Sequence, residues 1–169
     1  MIKETEIMKK VLLCLLGILI VIIENSITNY INIFGISFNI VLIYIAIISL
    51  YVEEFDISII GAIIGLVKDT TIGGIFGVNG VILFAISYGI SHLKAKIYKE
   101  SNTTIFALVF IASLFDSVLN LLISNIVYTI YGLGTMILKG MVIIPTINSL
   151  LSVVLYKISK QYVLKLKEE

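Results

Sequence analysis

Arginine is absent from this chain, and all twelve basic residues are lysine. That removes bidentate guanidinium clamps on phosphate or carboxylate groups, although a biased composition accounts for the absence as simply. There is no tryptophan, and proline, cysteine and histidine occur once each, as Pro145, Cys14 and His92. A lone cysteine forms neither an internal disulfide nor a cysteine metal cluster. A lone histidine offers no metal pair and stands in no position to activate any of the serines. Neither a Gly-x-Ser-Gly nor a paired-aspartate protease signature is present. Charge is scarce too, at 14% of residues, where soluble domains carry about 25%. The net charge of +1 gives no footing for nucleic-acid binding. These absences predict a protein that is not an enzyme and has no catalytic, cofactor-binding or metal-binding residues.

What the chain has is apolar sequence. Of its 169 residues 59% are hydrophobic, and the mean hydropathy is +1.12. A soluble core of this length has no room for so much Ile, Leu and Val, so the solvent is a bilayer. The predicted fold class is all-α: one polytopic membrane domain over residues 1–169, with about six transmembrane helices and short loops. The approximate spans are 11–27, 36–52, 57–72, 75–91, 104–127 and 135–156. The longest polar connections are Glu24–Asn32 and His92–Thr103, too short for a soluble catalytic domain. Lys9 and Lys10 precede the first span, and the absence of a small-residue cleavage pattern predicts an uncleaved anchor. Met8 is an alternative start to Met1.

Lysines set the orientation of such a bundle. Lys9 and Lys10 precede span one, Lys94, Lys96 and Lys99 follow span four, and Lys157, Lys160, Lys165 and Lys167 follow span six. Six spans put all three clusters, and both termini, on the cytoplasmic side of the membrane. Lys68 and Lys139 fall toward the outer side.

Two groups of polar residues lie inside these spans. In span five, Ser113, Asp116, Ser117, Asn120 and Ser124 recur at steps of three and four, which is one stripe of a helix. Span six carries Lys139, Thr146, Asn148, Ser149 and Ser152, and Pro145 frees a carbonyl one turn back. An antiparallel contact between these spans predicts an intramembrane polar cluster in which Asp116 and Asn120 meet Asn148 and Ser152. Such a cluster reads either as structural glue or as an ion or substrate path.

The second group is Gly61–Gly80. Gly61, Gly65, Asp69, Gly73 and Gly77 stand four residues apart. Small residues at this spacing let helix backbones approach closely, and a carboxylate among them is expensive in hydrocarbon. No Gly-Lys-Ser/Thr follows, so this is no phosphate loop, and no strand precedes it, so it is no dinucleotide fingerprint. Gly61, Gly65, Asp69, Gly73, Gly74 and Gly77 are the candidate helix-packing or partner-contact residues, with a helix end at Gly73-Gly74.

The chain length, the six-span layout, the basic amino end and the pattern Gly61-x3-Gly65-Leu66-x2-Asp69-x3-Gly73-x3-Gly77 together resemble the MreD family of bacterial rod shape-determining membrane proteins. Asn39 stands where members of that family often carry proline. The resemblance implies a non-catalytic component of the wall-elongation machinery in the bacterial cytoplasmic membrane. It implies the bitopic protein MreC, the glycosyltransferase RodA, a class B penicillin-binding protein and the MreB filament as partners, alongside membrane lipids. Substrate-binding subunits of energy-coupling factor vitamin transporters share the size and span number, and are the alternative. Their Ala-x3-Ala pair is missing from span one.

Overall fold

In a bilayer every backbone N–H and C=O must find its partner within the protein, so apolar runs wind into helices. The computed structural model describes residues 2–30, 38–72, 75–97, 101–127 and 137–165, which form six α-helices and no strand. These are α1 (Ile2–Tyr30), α2 (Ile40–Ile48), α3 (Glu54–Ile72), α4 (Val78–Leu93), α5 (Asn102–Val127) and α6 (Ile144–Lys165). A 3-10 turn, Lys94–Lys96, follows α4, and a π-helical segment, Lys139–Ile143, leads into α6. Among the described residues three segments are long and apolar enough to cross a membrane: Val78–Lys96, Asn102–Ile126 and Lys139–Gln161.

Element boundaries differ from the sequence reading in three instructive places. The polar connection expected from Glu24 is helical, because α1 continues to Tyr30 and carries Glu24 within it. The helix of the second span is only nine residues long, about 14 Å at 1.5 Å per residue. It starts after Asn39, whose side chain accepts the Leu42 N–H at 3.0 Å as an N-cap. The third helix starts at Glu54 and runs unbroken to Ile72, holding Lys68 and Asp69 inside it. Gly73 and Gly74 lie outside the described residues.

The closest packing is between α3 and α4, followed by α5 on α6 and α1 on α3. Gly61 and Gly65 explain the first of these. A Cβ on Gly65 would stand 2.4 Å from the Asn79 carbonyl oxygen and 2.6 Å from the Gly80 Cα. A Cβ on Gly61 would stand 2.9 Å from the Leu83 carbonyl oxygen. Backbone meets backbone there, and a side chain at either glycine would push the helices apart. The π segment leads directly into Pro145, which has no N–H to give to the carbonyl four residues back, and the Ile144 N–H bonds Lys139 O, five residues away.

Apolar and polar surfaces are inverted relative to a water-soluble protein. Leu12, Leu15, Leu16, Leu19, Ile22 and Ile23 face outward on α1, as do Ile111, Phe115 and Leu122 on α5. Charged side chains gather at one end of the bundle. There Lys10 pairs with Asp56 at 2.6 Å, His92 meets Glu54 at 3.4 Å, and Lys94 donates to Val52 O at 2.8 Å. The hydrogen bond to Asp56 raises the Lys10 pKa above its ordinary value.

Candidate functional site

At the other end, charged and amide side chains turn inward. Glu24, Lys68, Asp69 and Asp116 are 5%, 5%, 3% and 9% exposed, and Asn148 is fully buried. Glu24, Lys68, Asp69 and Asn148 each have a partner on another helix, and the carboxylates of Asp69 and Glu24 share one device.

Asp69, near the end of α3, sits on the open amino end of α4. Its Oδ2 accepts the Gly77 N–H at 2.9 Å and the Gly80 N–H at 3.3 Å. Its Oδ1 accepts the Asn79 backbone N–H at 3.2 Å and the Asn79 Nδ2 at 2.8 Å. The first N–H groups of a helix have no partner in that helix and carry its positive dipole end. Gly77 exposes them by taking φ +95°, a conformation that glycine enters without steric penalty. Gly77 holds the N-cap position of α4 without a capping side chain of its own, and Asp69 caps that end from the preceding helix.

Glu24 does the same for α2. Its Oε2 accepts the Val41 N–H at 2.8 Å, and its Oε1 pairs with Lys68 Nζ at 2.8 Å. Lys68 Nζ also donates to Asn39 Oδ1 at 2.8 Å. Asn39 is the hub of the group: its backbone N–H donates to Asn148 Oδ1 at 2.9 Å and its Nδ2 to Asp116 Oδ2 at 3.4 Å. A proline at this position would have no N–H for Asn148.

Asp116 takes a second amide donor, Asn120 Nδ2, at 3.0 Å on both its Oδ1 and its backbone carbonyl. Asn148 crosses from α6 to α5 by donating its Nδ2 to Ser113 Oγ at 2.8 Å. Ser152 donates to Ser149 O within α6. The four residues expected to form one cluster thus divide. Asp116 and Asn120 pair along α5, Asn148 reaches Ser113 and Asn39, and Ser152 is a buried hydroxyl satisfied by its own helix. Sequence periodicity pointed to Asp116 and Asp69, and missed Glu24, Asn25 and the bridging role of Asn39. Glu24 and Lys68 are opposite charges placed alike in their spans, the one signal in the sequence that could have joined them.

Between these groups lies a cavity of about 380 Å³, lined from α1 by Glu24 and Asn25, from α3 by Lys68 and Thr71, and from α5 by Asp116 and Asn120, with Asn39 and Asn79 completing its polar wall. The Asn25 Nδ2 beside it is buried without a hydrogen-bond partner. Among the described residues no three His, Cys, Asp or Glu side chains converge as metal ligands.

An apolar exterior, a hydrogen-bonded ionic interior and helix-to-helix glycine contacts define a helical membrane protein whose polar groups hold helices in place. The chain matches the family model of the rod shape-determining protein MreD over residues 5–166. It belongs to that family, whose members are non-enzymatic and serve rod-shape determination at the bacterial membrane. No curated protein and no solved structure matches it.

Proposed function

We propose that this protein is a membrane scaffold of the cell-wall elongation machinery, in which helix contacts recruit MreC and, with it, RodA, the class B penicillin-binding protein and the MreB filament. The family match over residues 5–166 carries this reading. In this view six helical segments form one membrane domain with both termini cytoplasmic. The gathering of Lys10, Asp56, His92 and Lys94 at one end of the bundle supports that orientation. The lysine-rich end then faces anionic lipid headgroups.

Gly61 and Gly65 are taken up by the α3–α4 contact, so the surface for a partner's single span lies elsewhere. A groove of about 600 Å³ between α4 and α5 suits it, because both walls belong to candidate spans and small residues, Ala85, Gly89 and Ala107, line it. An occupant there must be apolar and lie within the membrane, and a bitopic partner's helix meets both conditions. The test is affinity purification in mild detergent. Wall-synthesis proteins should be recovered with the wild type and lost with Gly89→Leu or Ala107→Leu at unchanged thermal stability. Recovery of transporter ATPases in their place would overturn the reading in favour of vitamin uptake.

A further inference from the structure

The charges lining the polar cavity do not balance. Two carboxylates, Glu24 and Asp116, face it against one ammonium, that of Lys68. Lys68 stands 2.8 Å from Glu24 and gives a second hydrogen bond to Asn39 Oδ1. The side-chain donors given to the Asp116 carboxylate are amides, Asn39 Nδ2 at 3.4 Å and Asn120 Nδ2 at 3.0 Å. The neighbouring Asp69 is served by the amino end of α4 and adds no positive charge. The Lys68 ammonium reaches Asp116 only through space and is already matched by the Glu24 carboxylate, so the Asp116 charge has no counter-charge of its own. A buried carboxylate in that state is strongly disfavoured at low dielectric and calls for one further positive charge.

We propose that the cavity is a binding site for one small monovalent cation, held against Asp116. Hard cations take oxygen ligands. The Asp116 carboxylate supplies them, and so does Asn120 Oδ1, because the Nδ2 of that amide is spent on Asp116. At about 30 Å³ per molecule, water fills the rest of the cavity and completes the cation's shell. The Glu24–Lys68 pair is neutral as a unit, so the site presents a single net negative charge, which fits a monovalent ion and not a divalent one. An alkali ion and a small primary ammonium share this chemistry. Asn25 Nδ2, a donor without a partner, suits the oxygen of a bound water or of an ammonium ligand that carries a hydroxyl.

The experiment uses the full chain in nanodiscs of zwitterionic lipid. Tm is measured at neutral and at mildly acidic pH in sodium, potassium or ethanolammonium chloride, each against N-methylglucamine chloride at equal ionic strength. A bound cation makes Tm rise with its concentration and then level off, and the three salts separate an alkali ion from an ammonium ligand. The cation-specific rise is expected in the wild type and in Asp56→Asn, which lies at the far end of the bundle. It is expected to vanish in Asp116→Asn and in Glu24→Gln. The second variant keeps an oxygen acceptor for Val41 and frees Lys68 to neutralise Asp116, so it tests charge balance without touching the proposed ligands. Should Asp116→Asn fail to fold, the wild type and Glu24→Gln decide. Equal Tm in all salts, with a dependence on pH alone, would mean that a proton balances Asp116 and would overturn the proposal. So would a cation response that survives in Glu24→Gln.

Discussion

At the scale of single residues, a buried charge in this protein is a fastening whose strength depends on its partner staying in place. Removing one member of a buried pair leaves the other uncompensated and costs about 3–5 kcal/mol, while replacing both with apolar groups costs far less. Lys68→Met alone should lower Tm markedly by stranding Glu24, Glu24→Gln should lower it less because Lys68 then serves Asp116, and the double variant should lie closer to the wild type than Lys68→Met does. Purely additive losses in such a double-mutant cycle would show that the 2.8 Å contact contributes nothing. Asp69 has no ion pair to lose but serves four N–H donors. Asp69→Ala should cost about 1–3 kcal/mol through the donors it strands, and Asp69→Asn, which keeps one acceptor oxygen, should cost less. Thermal unfolding in detergent measures both.

At the scale of elements, glycine positions separate into those that set a helix distance and those that do not. Gly65→Ala should be strongly destabilising, because its Cβ would lie 2.4 Å from a backbone oxygen of α4 that has nowhere to go. Gly89→Ala meets no atom within 4 Å and should be neutral or stabilising by up to about 1 kcal/mol through helix propensity. A Tm series of the two variants checks the contrast. The glycine spacing was legible in the sequence because close packing of two helices needs a local repeat, and so was the polar stripe of α5, because a helix face is periodic. Glu24 and Asn39 were not legible for a related reason. Their partners stand far off along the chain: Asn39 bonds residues 77 and 109 positions away, and no local period encodes such a crosslink. The short α2 was hidden by the same fact. Hydropathy reads Ile36 to Val52 as one run, while the start of the helix is decided by an asparagine cap and a carboxylate 17 residues earlier.

At the scale of the whole molecule, the bundle has two dissimilar ends. One presents exposed charged pairs that water and salt screen, and the other turns its charges inward around a cavity. Both termini belong to the first end in the proposed topology. A carboxy-terminal fluorescent protein should therefore be bright, and a carboxy-terminal alkaline phosphatase inactive, in intact cells; an active phosphatase would reverse the orientation. Because the charges of the ionic end turn inward while the flanks of α1, α4 and α5 are apolar, a partner should compete with lipid, not with water. Its association should weaken little when salt is raised and strongly when detergent replaces bilayer.

The two capping carboxylates also differ in when their partners are made. Asp69 emerges from the ribosome ten residues before Asn79, and its cap is available almost as soon as it is. Glu24 enters the membrane roughly 40 residues ahead of Lys68, an interval on the order of seconds at the usual pace of translation. For that interval the first helix holds an acidic group whose Lys68 partner is not yet synthesised. The nascent chain must therefore keep α1 beside the insertion machinery until the third helix arrives.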